Sequence, residues 1–260
     1  MRLTLKHITA VLIGLGFLFL LIEHAPATQI YFNNFQNEDP VGSEWSSKRT
    51  DTVPNPDLVS WGTFLGQFGG EDTVTLSLSG LSNRFITLSF DAYFIRSWDG
   101  NATTYGPDRF SVSTGTGLTL LDATFSNGNP AGQSYVGNGM EAPAYAGSGN
   151  TSMTGSEQQF SLGYWFYDGI QGTNEAMDSV YHFGFSFFNT SDSVQFIFAG
   201  IGLQDNTVTT PTGETYLDES WGLDNVGVDV TPVPEPSSLL LLVIGSFGIA
   251  IIARKKTFSE

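Results

Sequence analysis

Apolar and polar side chains alternate, residue by residue, at four separated places along this chain. Val74, Leu76 and Leu78 alternate with Thr73, Thr75 and Ser77. Ile86, Leu88, Phe90, Ala92 and Phe94 alternate with Thr87, Ser89, Asp91 and Tyr93. Tyr181, Phe183, Phe185 and Phe187 alternate with His182, Gly184 and Ser186, and Val226, Val228 and Val230 with Gly227 and Asp229. A period of two sorts side chains onto the two faces of an extended strand, whereas a helix needs an apolar stripe with a period near 3.6. Further strands are expected at 29–33, 64–68, 110–113, 118–125, 160–167 and 194–199, where Val, Thr, Phe and Tyr sit between Gly, Asn, Ser and Asp clusters. About ten strands in roughly 205 residues, with no intervening helical pattern, is the spacing of a two-sheet sandwich. The expected fold is all-β, a jelly-roll-like antiparallel sandwich over residues 28–232. Residues 33–56 and 127–156 lack the pattern and read as long loops. The second is long enough to be functional, mobile or tied down.

Composition narrows the function. The 260 residues include no Cys, so disulfides, thiolate metal sites and thiol catalysis are excluded. The 21 Phe give enough apolar surface for a core. Within residues 28–233 the cations are Lys48, Arg49, Arg84, Arg96 and Arg109, against 23 acids, a net charge of −18 compared with −16 for the whole chain. Such a surface repels nucleic acid and other polyanions, and suits divalent cations or neutral glycans.

Both ends differ from the middle. Arg2, Lys6 and His7 precede an apolar run from Ile8 to Ile22, and Ala25-Pro26-Ala27 follows. This is the layout of a secretory signal peptide over residues 1–27, with small residues Ala25 and Ala27 at the cleavage site. At the other end, Ser237 to Ala253 could span about 25 Å as a helix, a workable membrane crossing. Pro234-Glu235-Pro236 breaks any structure leading in, and Arg254-Lys255-Lys256 would remain on the cytoplasmic side.

The order Val233-Pro234-Glu235-Pro236, apolar span, Arg254-Lys255-Lys256 resembles the PEP-CTERM sorting tail of Gram-negative bacteria, here over residues 233–260. The resemblance implies export, anchoring in the inner membrane by the C-terminal helix, processing by an exosortase, and a place at the cell surface or in an exopolysaccharide or biofilm matrix. It gives an address and no activity.

Catalytic constellations are scarce. His182 is the one His of the mature region, and it sits within a strand alternation facing away from Tyr181 and Phe183. No Gly-x-Ser-x-Gly elbow or phosphate-binding glycine loop occurs. Carboxylate pairs at glycosidase spacing cannot be picked out among so many acids. Oxygen-rich clusters at expected strand ends suit Ca²⁺ better: Asp99-Gly100-Asn101 with Asp108, and Asp218, Glu219, Asp224 and Asn225. By parity Asp224 shares a face with Val226, Val228 and Val230. It is then a buried carboxylate that needs a partner: a cation, an arginine or turn amides.

Glu219-Ser220-Trp221-Gly222-Leu223-Asp224-Asn225-Val226 is similar to the closing strand of lectin-like and carbohydrate-binding jelly rolls. The resemblance implies a structural calcium held by Asp224 and Asn225 with Asn34 and Gln36, although relatives carry Glu where this chain has Gln36. For glycans, Trp98 beside Asp99 and Asn101, with Tyr105, offers rings for stacking and polar groups for hydroxyls. Tyr135 and Tyr145 have similar loop-like surroundings. The expected function is that of an exported, non-catalytic matrix protein that binds or scaffolds exopolysaccharide. The alternatives are a purely structural or adhesive component and a glycoside hydrolase.

Overall fold

The computed structural model describes residues 26–36, 41–54, 62–128, 132–137, 149–169 and 172–232, and among these every regular element is a strand. The signal sequence up to Ala25 and the tail from Val233 onward lie outside the described residues, as do Trp61 and Tyr145. In chain order the strands are β1 (Thr28–Asn33), β2 (Thr50–Thr52), β3 (Thr63–Phe68), β4 (Thr73–Ser79), β5 (Arg84–Arg96), β6 (Arg109–Thr114), β7 (Thr119–Thr124) and β8 (Gln158–Gln159). They continue as β9 (Trp165–Asp168), β10 (Thr173–Ala176), β11 (Asp178–Asn189), β12 (Ser193–Ile201), β13 (Thr207–Thr209), β14 (Thr215–Leu217) and β15 (Glu219–Pro232).

Two antiparallel sheets carry the fold. The larger has the order β2-β3-β15-β5-β11-β8, with β1 also paired to β15; the smaller is β4-β12-β6-β7. Hairpins β9–β10 and β13–β14 stand apart. Thr28–Val230 forms one compact unit. The alternating apolar residues of both sheets meet between them: Phe90 and Phe94 of β5 touch Phe198 and Phe110 of the smaller sheet at ring centroid distances of 5.2 and 5.3 Å. Burying each such ring contributes roughly 1.5–3 kcal/mol.

The larger sheet has a second apolar cluster on its other face, formed by Val53, Phe64, Tyr93, Ile95, Leu162, Tyr164 and Val180. It explains why β5 loses its burial alternation halfway. Thr87 and Ser89 are half-buried, but from Asp91 to Arg96 both faces are covered. Two expectations change here, and one of the alternatives for a third is met. The strand expected at 160–167 is reduced to β9, because the N–H groups of Ser161, Leu162 and Tyr164 are taken by the Asp178 carboxylate at 2.8–3.1 Å rather than by a ladder. The loop expected at 33–56 contains β2, and its Phe35, Trp45 and Val53 are buried. The described parts of 127–156 are tied down by Gln133. Its buried amide accepts from Ser126 N, Met153 N and the Tyr181 hydroxyl, and donates to the Tyr135 and Thr154 carbonyls.

The face assigned to Asp224 by parity is wrong. Asn225 has a positive φ of 48°. This bend shifts the alternation by one, so that Leu223 and Val226 both point into the inter-sheet core. Asp224 falls on the opposite face, beside Tyr93.

Candidate functional site

A cleft of about 820 Å³ opens where the β5–β6 loop, the segments around Asn127 and Ser152, the β9–β10 hairpin and the β12–β13 loop converge. Polar groups of Ser97, Asp99, Gln159, Gln204, Asn206 and Asp218 line it together with Tyr105, Phe160 and Phe166. Tyr105 is 61% exposed and Phe160 49%. Of the expected glycan residues, Trp98, Asp99 and Tyr105 line this cleft. Trp98 is not available for stacking: its ring is fully buried against Phe94, and its indole N–H donates to the Ser220 carbonyl at 2.8 Å. Asn101 is spent within the fold, accepting the Thr124 hydroxyl and donating its backbone N–H to the Gly132 carbonyl. Tyr135 belongs to the core. Phe160 and Phe166 fall in the stretch expected as a strand, 160–167, where the sequence marks them as strand residues with no part in a site.

Behind Asp99 the acidic clusters of two distant segments meet. Asp99, Asp108 and Glu219 each place a carboxylate oxygen within 4.8 Å of the others. The β5–β6 loop curls back so that Asp108 N donates to the Gly100 carbonyl at 2.9 Å and Asp99 N donates to the Asp108 carboxylate. Gly100 permits this curl: its φ is +58°, and a Cβ there would lie 2.2 Å from the Gly132 carbonyl oxygen. Glu219 enters at the start of β15, where one oxygen accepts Gln204 N. Asp108 and Glu219 are fully buried, and Asp108 Oδ1 and Glu219 Oε1 have no hydrogen-bond partner among the described residues. Asp218 alongside is different, since both its oxygens are occupied, by Ser97 Oγ and by Asn206 Nδ2 at 2.7 Å.

The cluster's protonation equilibria are displaced accordingly. Burial, then the charge of Asp218, pushes Asp99 up to about 6. Burial, then Asp99 and Asp218, pushes Asp108 up to about 8. Burial, then the nearby Asp108, pushes Glu219 up to about 9. No arginine or lysine bonds to the three among the described residues.

The expected calcium ligands lie elsewhere and are engaged in hydrogen bonds. Asp224 accepts the Tyr93 hydroxyl and the Asn225 N–H, each at 2.8 Å. Its partner is therefore a phenol and a main-chain amide. Burial is the largest cause that pushes Asp224 up to about 7. The Asn225 amide donates to Asp91 at 2.7 Å, and the other Asp91 oxygen meets His182 Nδ1 at 2.7 Å. Gln36 clamps β3, donating to the Thr63 carbonyl and accepting Thr63 N, and also donates to the Asn34 carbonyl. Among the described residues no Ser or Thr hydroxyl bonds to His182.

These features place the described part of the chain among antiparallel β-sandwich domains. The tail is more specific. Residues 232–256 match the family model of the PEP-CTERM protein-sorting motif, including Val233, Pro234-Glu235-Pro236 and Arg254-Lys255-Lys256. The chain carries this motif, the mark of an exported surface protein processed by an exosortase. No curated protein matches the chain. Among solved structures, a cleaved adhesin domain of Lys-gingipain from Porphyromonas gingivalis is similar at 11% identity and a TM-score of 0.35, over 77% of this chain and 98% of that one. A likeness this loose carries no argument about function.

Proposed function

We propose that this is a non-catalytic surface protein whose sandwich holds a neutral, hydroxyl-rich polysaccharide of the extracellular matrix in the cleft behind Tyr105. The observation that carries the reading is the pairing, in one cleft, of exposed aromatic rings with amide, hydroxyl and carboxylate groups. Sugars present apolar ring faces to aromatics and hydroxyls to such polar groups. The sorting motif supports it by sending the chain to where matrix polysaccharide is met, with the apolar tail as a membrane anchor until processing. The charge of the domain supports neutral over anionic glycans.

Retention of the full chain, in mild detergent, on immobilised neutral and anionic polysaccharides tests the reading. Wild type is expected to be retained on a neutral glycan, and Tyr105→Ala or Phe160→Ala to weaken retention about tenfold, a loss of ~1.4 kcal/mol. Retention on no glycan, or retention unchanged in both variants, would contradict it.

A further inference from the structure

Two buried carboxyl oxygens have no hydrogen-bond partner among the described residues. Asp108 Oδ1 and Glu219 Oε1 both belong to side chains with no exposure. The second oxygen of each is taken, by Asp99 N and by Gln204 N. The free ones are therefore what remains for the interior of the cluster that Asp99 completes. Burying a polar atom unpaired is costly, and burying like charges together is more so. A native fold keeps such a group when something else fills the gap.

We propose that Asp99, Asp108 and Glu219 form a site for a hard divalent cation of the calcium type, which pins the β5–β6 loop to the start of β15. The donor set is all oxygen, with no imidazole or thiolate, which selects Ca²⁺ over zinc-like metals. Oxygens bound to one Ca²⁺ at about 2.4 Å lie no more than about 4.8 Å apart, and the three donor oxygens fall within 4.8 Å of one another. Asp99 is only half-buried and lines the cleft, so water has a route to the remaining coordination positions. Asp218 adds negative charge nearby while its own oxygens stay hydrogen-bonded. The site does not depend on the glycan reading. The ion would secure the loop that carries Tyr105 whether or not a polysaccharide binds there.

The test uses the full chain in mild detergent, stripped with a chelator and titrated with Ca²⁺ or Tb³⁺ without any glycan. Buried Trp98, next to Asp99 in the chain, is the built-in sensitiser for Tb³⁺ luminescence. Wild type is expected to give saturable Trp-excited Tb³⁺ emission displaced by Ca²⁺. Its Tm should rise on the order of 5–10 °C at Ca²⁺ about 100-fold above Kd. Glu219→Gln should abolish both effects. Its neutral amide should also raise the Tm of the stripped protein, which separates loss of the ion from loss of the fold. Asp224→Asn should keep both effects. A wild-type Tm indifferent to Ca²⁺ with no Tb³⁺ emission would overturn the proposal. So would emission that survives Glu219→Gln and disappears in Asp224→Asn.

Discussion

Glu219 and Asp224 lie on the same strand, are both buried, and both have carboxyl groups pushed above the ordinary carboxylate range. Their surroundings separate them. Asp224 faces the outer side of the larger sheet, where the Tyr93 hydroxyl and the Asn225 N–H satisfy one oxygen each. Glu219 faces Asp99 and Asp108, with one oxygen satisfied and one left bare. Burial of an acid therefore does not mark a cation site, and neither does a shifted protonation equilibrium. The distinguishing sign is a buried lone pair that the chain itself leaves unfilled, next to others of the same kind.

The largest expected effect removes the phenol that satisfies Asp224. Tyr93→Ala should cost about 3–5 kcal/mol in urea unfolding, since it opens a cavity against Phe64 and leaves Asp224 Oδ2 without its donor. The loss should be the same with Ca²⁺ as with chelator. A loss that Ca²⁺ restores would make Asp224 a ligand and break the contrast.

A smaller effect is the pH profile of Asp224. The folded protein holds this proton up to about pH 7, while the unfolded chain releases it near its ordinary value of 3.8. Folding thus takes up a proton between those values, so this carboxyl is least costly to the fold below about pH 4, and stability falls as pH rises through 7. Asp224→Asn should flatten the stability–pH profile over that window by on the order of 2–4 kcal/mol relative to wild type. Parallel profiles for the two proteins would show that Asp224 holds no proton in the fold.

The sequence revealed the part of this structure that solvent helps to write. Ile86, Leu88 and Phe90 announced a strand because Thr87 and Ser89 opposite them are only half-covered. The alternation reads on to Phe94, but from Asp91 to Arg96 it does not mark a solvent face, because a second cluster buries the other side. Val226, Val228 and Val230 were placed correctly in the core, yet extending their parity back to Asp224 failed at one residue, Asn225, whose positive φ no pattern of apolar spacing reports. The acidic groups around Asp99–Asp108 and Asp218–Glu219 were each visible as oxygen-rich strand ends. Their union was not, because it depends on β15 lying beside β5, a pairing between segments more than a hundred residues apart. Trp98 misled for a related reason. It sits next to a turn, Asp99-Gly100-Asn101, but the loop folds back and its ring enters the core.

Anomalous diffraction from crystals of the Tb³⁺-loaded protein tests the contrast most directly. The account predicts one strong peak among the carboxyls of Asp99, Asp108 and Glu219, and none beside Asp224, Asn225, Asn34 or Gln36. A peak at Asp224 with the three other acids left bare would contradict it.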